Sequence, residues 1–358
     1  LTAGLTTFLA MCYIIIVNPL ILGETGMDMG AVFVATCIAS AIGCFVMGFV
    51  GNYPIALAPG MGLNAYFTYA VVKGMGVPWQ VALGAVFVSG IIFILFSFFK
   101  VREMLVNALP MGLKMSIAAG IGLFLSLIAL KGSGIIVASD ATLVKLGDIH
   151  QPAALLVLAG FAMVVALGHF RVKGAIILTI LAITAISTLL GLSEFKGVVG
   201  EIPSIAPTFM QMDFSQILNF NFIVIMAAFL FVDLFDTLGA LIAIAKRADL
   251  LDEEGKLPNI KGALLADAIA TTVGAVLGTS TTTTFIESAA GVEEGGRTGL
   301  TSITTGILFL AALILSPIFL AIPSFATAPA LIIVGFLMMA SVRELDFDDM
   351  TETIPSLI

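Results

Sequence analysis

Apolar runs of about twenty residues recur along almost the whole chain, and a run of that length is what a helix needs to cross the hydrocarbon core of a bilayer. Reading on that basis gives segments at 3–22, 31–51, 79–99, 109–130, 153–169, 174–192, 221–245, 262–278, 299–322 and 326–342. Two more, 55–73 and 279–299, are long enough but broken. Pro59 and Gly60 interrupt the first; the second opens with six hydroxyl residues, Thr279 to Thr284, five of them β-branched, before Ile286, Ala289 and Ala290 resume a helical composition. β-branched runs favour an extended backbone, so each broken segment reads as a short strand followed by a half-helix. Non-helical backbone is tolerated at membrane depth only where it is buried in protein or lines a cavity. The fold class is an all-α polytopic membrane protein, and the twelve segments carry two interruptions that mark a site.

The interruptions also suggest the architecture. They stand third and tenth in the series, so each is third within a half of seven crossings, and an odd number of crossings makes the two halves inverted in the membrane. The repeat rests on position and interruption, since no residue-level identity joins the halves. Thr2 to Leu22 is already a spanning pattern and a new apolar stretch begins after Met350, so both ends read as cut. With the N-terminus cytoplasmic, eleven of the fifteen Lys and Arg fall on the inside, as short cytoplasmic loops prefer.

A charge of −8 argues against nucleic acid. Cys12, Cys37 and Cys44 lie in apolar helices and read as packing residues, with no metal or cofactor implied.

Against this apolar background the intramembrane carboxylates need reasons, because a charged side chain at bilayer depth costs about 2.5 to 3.5 kcal/mol even on lenient scales. Glu287 sits in the second broken segment. Asp233 and Asp236 are three residues apart in FLFVDLFDTLG, on one face of a helix. Asp267, in LLADAIATT, reads as structural, pairing with Lys261 or orienting the hydroxyl run. Asn64 follows the Pro59–Gly60 break near the start of a half-helix, where free N–H groups favour polar ligands, with capping as the plainer alternative. Phe231, Phe235, Phe285 and Tyr66 border these groups in sequence and offer a face for a planar ligand.

The combination of LTAGLTTFLAMCYIIIVNPLIL, PGMGLNAYF, FVDLFDTLG and TFIESAAGVEEGGRTGLT resembles the AzgA-like purine permeases of the nucleobase-ascorbate transporter superfamily, over the whole chain. The resemblance implies a seven-plus-seven inverted-repeat fold with core and gate domains, divided as 1–103 and 221–322 (core) and 104–220 and 323–358 (gate). It implies purine nucleobase import across the cell membrane by a transporter that is not an enzyme. Asp233 and Glu287 correspond to base-binding positions, with Asn64, Thr284, Phe285 and Phe231 beside them, and Asp236 with Glu287 corresponds to the proton-coupling acids. A homodimer is allowed. Guanine and hypoxanthine are the expected bases, with adenine a further candidate.

A buried carboxylate can accept the N–H donors of a neutral purine, at about 1.5 to 3 kcal/mol per charge-assisted bond. Three acids crowded in a low-dielectric site favour protonation of at least one, which is what a proton symporter requires. One proton entering down about 100 mV releases about 2.3 kcal/mol, roughly a forty-fold accumulation of a neutral solute. Two competitors are weaker. An intramembrane prenyltransferase would use D-x-x-D for magnesium but lacks a second acidic cluster within the membrane, and an anion transporter of the same fold would favour cationic donors over carboxylates at its site.

Overall fold

The computed structural model describes residues 1–98, 111–170, 172–194, 197–252, 257–344, 350 and 354. Helix α1 (Thr2–Met11) and helix α2 (Ile14–Gly23) make one spanning rod broken at Cys12 and Tyr13. α3 (Met29–Val46) starts on an N-cap, with Asp28 Oδ1 accepting from the Ala31 N–H at 2.8 Å, and runs into a π-helical turn, Met47–Gly51. Strand β1 (Leu57–Pro59) then leads into α4 (Met61–Ala65), which continues as π-helix over Tyr66–Gly74. After α5 (Trp79–Phe98) come α6 (Met111–Gly132), β2 (Ile136–Ser139), β3 (Leu143–Leu146), α7 (Pro152–His169) and α8 (Ala175–Leu189). The second half holds α9 (Phe220–Arg247), α10 (Ile260–Leu277), β4 (Thr282–Thr284), α11 (Ser288–Glu293), α12 (Gly299–Ala312), α13 (Ser316–Leu320) and α14 (Ser324–Met339).

Among the described residues, seven helices are long and apolar enough to cross a membrane, and Ala119–Gly132, Ala175–Leu189 and Ser324–Met339 are shorter apolar helices. With the two broken segments these account for the twelve segments read from the sequence. Both broken segments are a three-residue strand followed by a short helix, as expected. The sequence reading differs in detail at 299–322, which is α12 and α13 joined by a 3₁₀ turn at Leu313–Leu315; Pro317, without an N–H, fits the start of the second piece. The β2–β3 hairpin, register Ile136↔Leu146, lies between the apolar segments 109–130 and 153–169.

By contact the chain forms two compact units: Leu1–Met104 with Gly197–Leu320, and Leu105–Lys196 with Ala321–Ile358. Residues 197–220, assigned from the sequence to the first half's gate domain, belong with the first unit. They are tied there by backbone groups: the Met210 N–H donates to Val276 O at 2.8 Å and the Asp213 N–H to Gln80 O at 3.0 Å, while Thr208 Oγ1 donates to Leu277 O at 2.9 Å. Such ties are invisible to hydropathy.

In the first unit α5 packs on α9 and α10, α3 on α10 and α12, and α1 on α11 and α12. A core of Leu22, Val32, Leu63, Phe67, Val86, Phe222 and Phe229 fixes the first broken segment against α2, α5 and α9. In the second unit α14 packs against α6, α7 and α8.

Candidate functional site

The two broken segments meet in the first unit. β1 and β4 pair antiparallel, with Leu57 opposite Thr284, Ala58 opposite Thr283 and Pro59 opposite Thr282. The pairing extends past both strands, because the Gly60 N–H donates to Thr281 O at 2.9 Å and the Phe285 N–H to Ala56 O at 3.0 Å. Every residue of both strands is buried. Backbone groups that leave the helical ladder at this depth are thus satisfied by the other interruption or by side chains: the Leu57 N–H donates to Cys44 Sγ at 3.3 Å, and that thiol donates to Leu57 O at 3.5 Å.

The hydroxyl run is a set of fasteners. Asn18, in α2, donates its Nδ2 hydrogens to Thr36 and Thr279, both at 2.7 Å. Ser280 donates to Asn64 Oδ1. Thr271, in α10, accepts from the Thr282 N–H at 3.0 Å and donates to Thr282 O at 2.9 Å. Thr284 donates to Thr237 O at 3.1 Å. Arg297 closes the segment, its Nη1 donating to Val292 O and Gly296 O at the end of α11.

The carboxylates stand around this seam. Glu287 is partly exposed, and Tyr13, wholly buried at the α1–α2 break, donates its hydroxyl to Glu287 Oε1 at 2.5 Å. Asp236, also partly exposed, lies near Thr283 and within electrostatic reach of Glu287. Asp233 is buried, with Thr271 Oγ1 3.3 Å from its Oδ2. Asp267 is wholly buried, and Thr237 donates to its Oδ1 at 2.9 Å. The last two bonds connect α9 and α10, each through an acid on one helix and a threonine on the other.

Asn64 is wholly buried and does not cap its helix. Gly60 is the N-cap of α4, and the Asn64 carboxamide instead reaches across to Ser280, with its Nδ2 buried and unpartnered. Phe285 is buried beside Ala56, and Thr284 is locked to the α9 backbone. Phe231 is 39% exposed and stacks on Phe235. It precedes Asp233 by two residues, about 200° round the helix, so it stands on the far side of α9 from that acid. The aromatic on the acid's own face is Phe229, packed edge-on against Tyr66 with ring centroids 5.2 Å apart. Sequence reasoning missed Tyr13, Asn18 and Thr237. The first two carried a signal, as polar side chains in the middle of an otherwise apolar span; Thr237 looked like an ordinary helical threonine.

Paired, interrupted segments joined strand to strand in a helical membrane protein define an inverted-repeat fold. The transmembrane domain of a cyanobacterial bicarbonate transporter, BicA, superposes with a TM-score of 0.73 over 99% of this chain and 92% of that one at 17% identity. SLC26A9 gives 0.68 over 96% and 57% at 12% identity. At such identities the likeness shows the shared inverted-repeat fold alone.

The particular family follows from the sequence: the chain belongs to the permease family Xan_ur_permease, whose model matches residues 1–358. Similar proteins include a putative permease of Methanocaldococcus jannaschii, 54% identical over 99% of this chain and 82% of the relative. The guanine/hypoxanthine permease PbuG of Bacillus subtilis is 45% identical, over 99% and 83%. The adenine permease AdeP of Escherichia coli is 42% identical, over 99% and 80%. The resemblance drawn from the motifs is borne out.

Proposed function

We propose that this protein carries purine nucleobases across the cell membrane, in symport with protons, and that the base binds at the seam of the two broken segments. The observation that carries the reading is the pair Glu287 and Asp236, two partly exposed carboxylates beside an otherwise buried strand pair. Relatives named as guanine/hypoxanthine and adenine permeases support the substrate class.

In this reading Glu287, steadied by Tyr13 on one oxygen, turns its other oxygen to the N–H edge of the base. Charge-assisted bonds of this kind are worth about 1.5 to 3 kcal/mol each. Asn64 contributes the Nδ2 hydrogens that lack a partner, suited to a ring nitrogen or the exocyclic oxygen of hypoxanthine or guanine. Asp236 takes the coupling proton. Asp233, turned toward Thr271, shapes the wall behind it, and Phe285 and Thr284 hold the seam closed, while Phe231 leaves the set of base contacts. The unit with the broken segments is the core that carries the substrate, the other unit is the gate, and alternating access moves one relative to the other. The distribution of Lys and Arg favours a cytoplasmic N-terminus.

Labelled hypoxanthine, guanine and adenine offered to vesicles containing the protein, in parallel with labelled bicarbonate and sulfate, test the proposal. Saturable, mutually competitive purine uptake is expected. Anion flux without purine flux overturns the reading in favour of an anion carrier on the same fold.

A further inference from the structure

In an antiparallel pair, alternate residues turn their N–H and C=O groups toward the partner strand and the residues between them turn theirs away. With Ala56 facing Phe285 and Gly60 facing Thr281 across the β1–β4 pair, Leu57 and Thr282 are among the residues that face outward. Both are wholly buried, so their backbone groups need partners within the protein. Each finds one side chain. The Leu57 N–H donates to Cys44 Sγ at 3.3 Å, and the thiol donates to Leu57 O at 3.5 Å. The Thr282 N–H donates to Thr271 Oγ1 at 3.0 Å, and that hydroxyl donates to Thr282 O at 2.9 Å. Cys44 is on α3 and Thr271 on α10, in each case the helix that precedes the interrupted segment. The same two-way brace therefore occurs once in each half of the chain, with a thiol in one and a hydroxyl in the other.

The brace on β1 reaches the site through one residue. Ala56, next to Leu57, accepts on its carbonyl from the Phe285 N–H at 3.0 Å and donates its N–H to Ser288 Oγ at 3.0 Å. Phe285 and Ser288 enclose the turn that carries Glu287, and the Ser288 N–H donates back to Phe285 O at 3.0 Å. Ala56 thus holds both ends of that turn. Ser302, on α12, has its hydroxyl 2.8 Å from both Cys44 O and Ile55 O. The backbone of Cys44 is in this way tied to the residue before Ala56, while its thiol is tied to the residue after. Cys44, Ala56, Leu57 and Ser288 are wholly buried. A functional side chain keeps its geometry when hydrogen bonds in the layer behind it are fixed in this manner.

We propose that Cys44 is a positioning residue for Glu287: its thiol fixes Leu57, Ala56 then fixes the turn from Phe285 to Ser288, and the carboxylate is delivered to Tyr13 and to the base. The volume of Cys44 suits packing, as the sequence indicates, but packing accounts for neither of its two bonds. The inference rests on the purine reading in naming the base as what Glu287 meets, whereas the contact between Glu287 and Tyr13 is independent of that reading. Substitutions at Cys44 separate the two roles. Ser keeps one donor and one acceptor at the position of the thiol, whereas Val fills the space and offers neither. A site that only packs prefers Val to Ser, and a brace prefers Ser to Val.

The experiment takes the purified full chain as wild type, Cys44→Ser, Cys44→Val and Ser288→Ala, and makes two measurements on each. One is the infrared C–O stretch of the Tyr13 phenol, identified as the band lost in Tyr13→Phe; the other is the Kd for labelled hypoxanthine per folded protein. Cys44→Val is expected to move the band toward that of a weakly bonded phenol and to raise Kd about ten-fold, the worth of one hydrogen bond to the base. Cys44→Ser is expected to stay near wild type in both. Cys44→Val that folds less well yet leaves band and Kd unchanged in the folded protein shows packing alone and overturns the proposal, as does Cys44→Ser that behaves like Cys44→Val. Where Cys44→Val does not fold, Ser288→Ala carries the test, since it removes the acceptor of the Ala56 N–H; a displaced band and weaker binding are expected, and wild-type behaviour overturns the proposal. If wild type binds no hypoxanthine while Cys44→Val displaces the band, the purine reading falls and the positioning role stands. If wild type binds it while Cys44→Val leaves band and Kd unchanged, the positioning role falls and the purine reading stands.

Discussion

Replacing Glu287 by Gln tests the site most sharply, because Tyr13 dictates which way the new amide points. In wild type the two carboxylate oxygens are equivalent; Tyr13 occupies Oε1 at 2.5 Å and the second oxygen remains for the base. Gln has one oxygen and one NH₂. Tyr13 is wholly buried, and leaving its hydroxyl hydrogen without an acceptor costs about 1 to 3 kcal/mol, so the Gln oxygen stays with Tyr13 and the NH₂ turns toward the base. The variant then loses a charge-assisted bond of about 1.5 to 3 kcal/mol and sets donor against donor for about another 1 to 3. Together these amount to a loss of roughly two to four orders of magnitude in affinity, at about 1.4 kcal/mol per tenfold. The second change is the informative one. In Tyr13→Phe with Glu287→Gln the constraint on the amide is gone, it can present its oxygen to the base, and affinity should recover about ten-fold or more relative to Glu287→Gln alone. The assay is equilibrium binding of labelled hypoxanthine to membranes, corrected for the amount of protein. A double variant no tighter than the single one refutes the role given to Tyr13, and a near-wild-type Glu287→Gln refutes the role given to Glu287.

Asn64→Ala should weaken purine binding about ten-fold, or re-rank guanine, hypoxanthine and adenine in a competition series, since it removes the unpartnered Nδ2 donor; an unaltered ranking and affinity would return Asn64 to its bond with Ser280 alone. Uptake should acidify the vesicle interior, collapse with a protonophore and persist without sodium, and sodium-dependent uptake that ignores protonophores would defeat the symport reading. Asp236→Asn should still exchange purine across the membrane yet fail to concentrate it, which counterflow and net uptake measure separately. Gly291→Ala should destabilise the folded protein by about 1 to 3 kcal/mol, because its new Cβ would stand 2.1 Å from Thr7 Oγ1 and 2.6 Å from Ala3 O on α1; an unchanged melting temperature in detergent would count against the close packing of α11 on α1.

The spans were legible because hydrophobic length is a coarse property that a bilayer enforces everywhere, and the two interruptions stood out as Pro59–Gly60 and as a β-branched run. The acids were legible for the converse reason, being costly where they stand. Which partner each acid takes was not. Asp233 and Asp236 share a helix face at three-residue spacing, yet one meets Thr271 and the other lies near Thr283, a difference fixed by where α10 and β4 lie. Asp267 read as structural because its company, Thr237, is thirty residues away on another helix. Phe231 is near Asp233 in sequence, and two residues along a helix lead to the opposite side. The bond of Asn64 to Ser280 depends on a strand pairing between distant segments that local patterns do not encode.

That pairing has a consequence for how the protein is made. Leu57 leaves the ribosome long before Thr284, and at about 5 to 20 residues per second the interval is roughly 10 to 45 seconds. Throughout it the amide and carbonyl groups of Ala58 have no Thr283 to meet, and exposing such groups to hydrocarbon costs several kcal/mol each. The first interrupted segment therefore cannot settle into the lipid when it emerges. It must wait at the interface, in the insertion machinery or against its neighbours α2 and α3, until the second half arrives. Biogenesis of this carrier is accordingly a late, cooperative event: a nascent chain stalled before residue 282 should hold an accessible, protease-sensitive segment near Pro59, and one released after residue 299 should bury it.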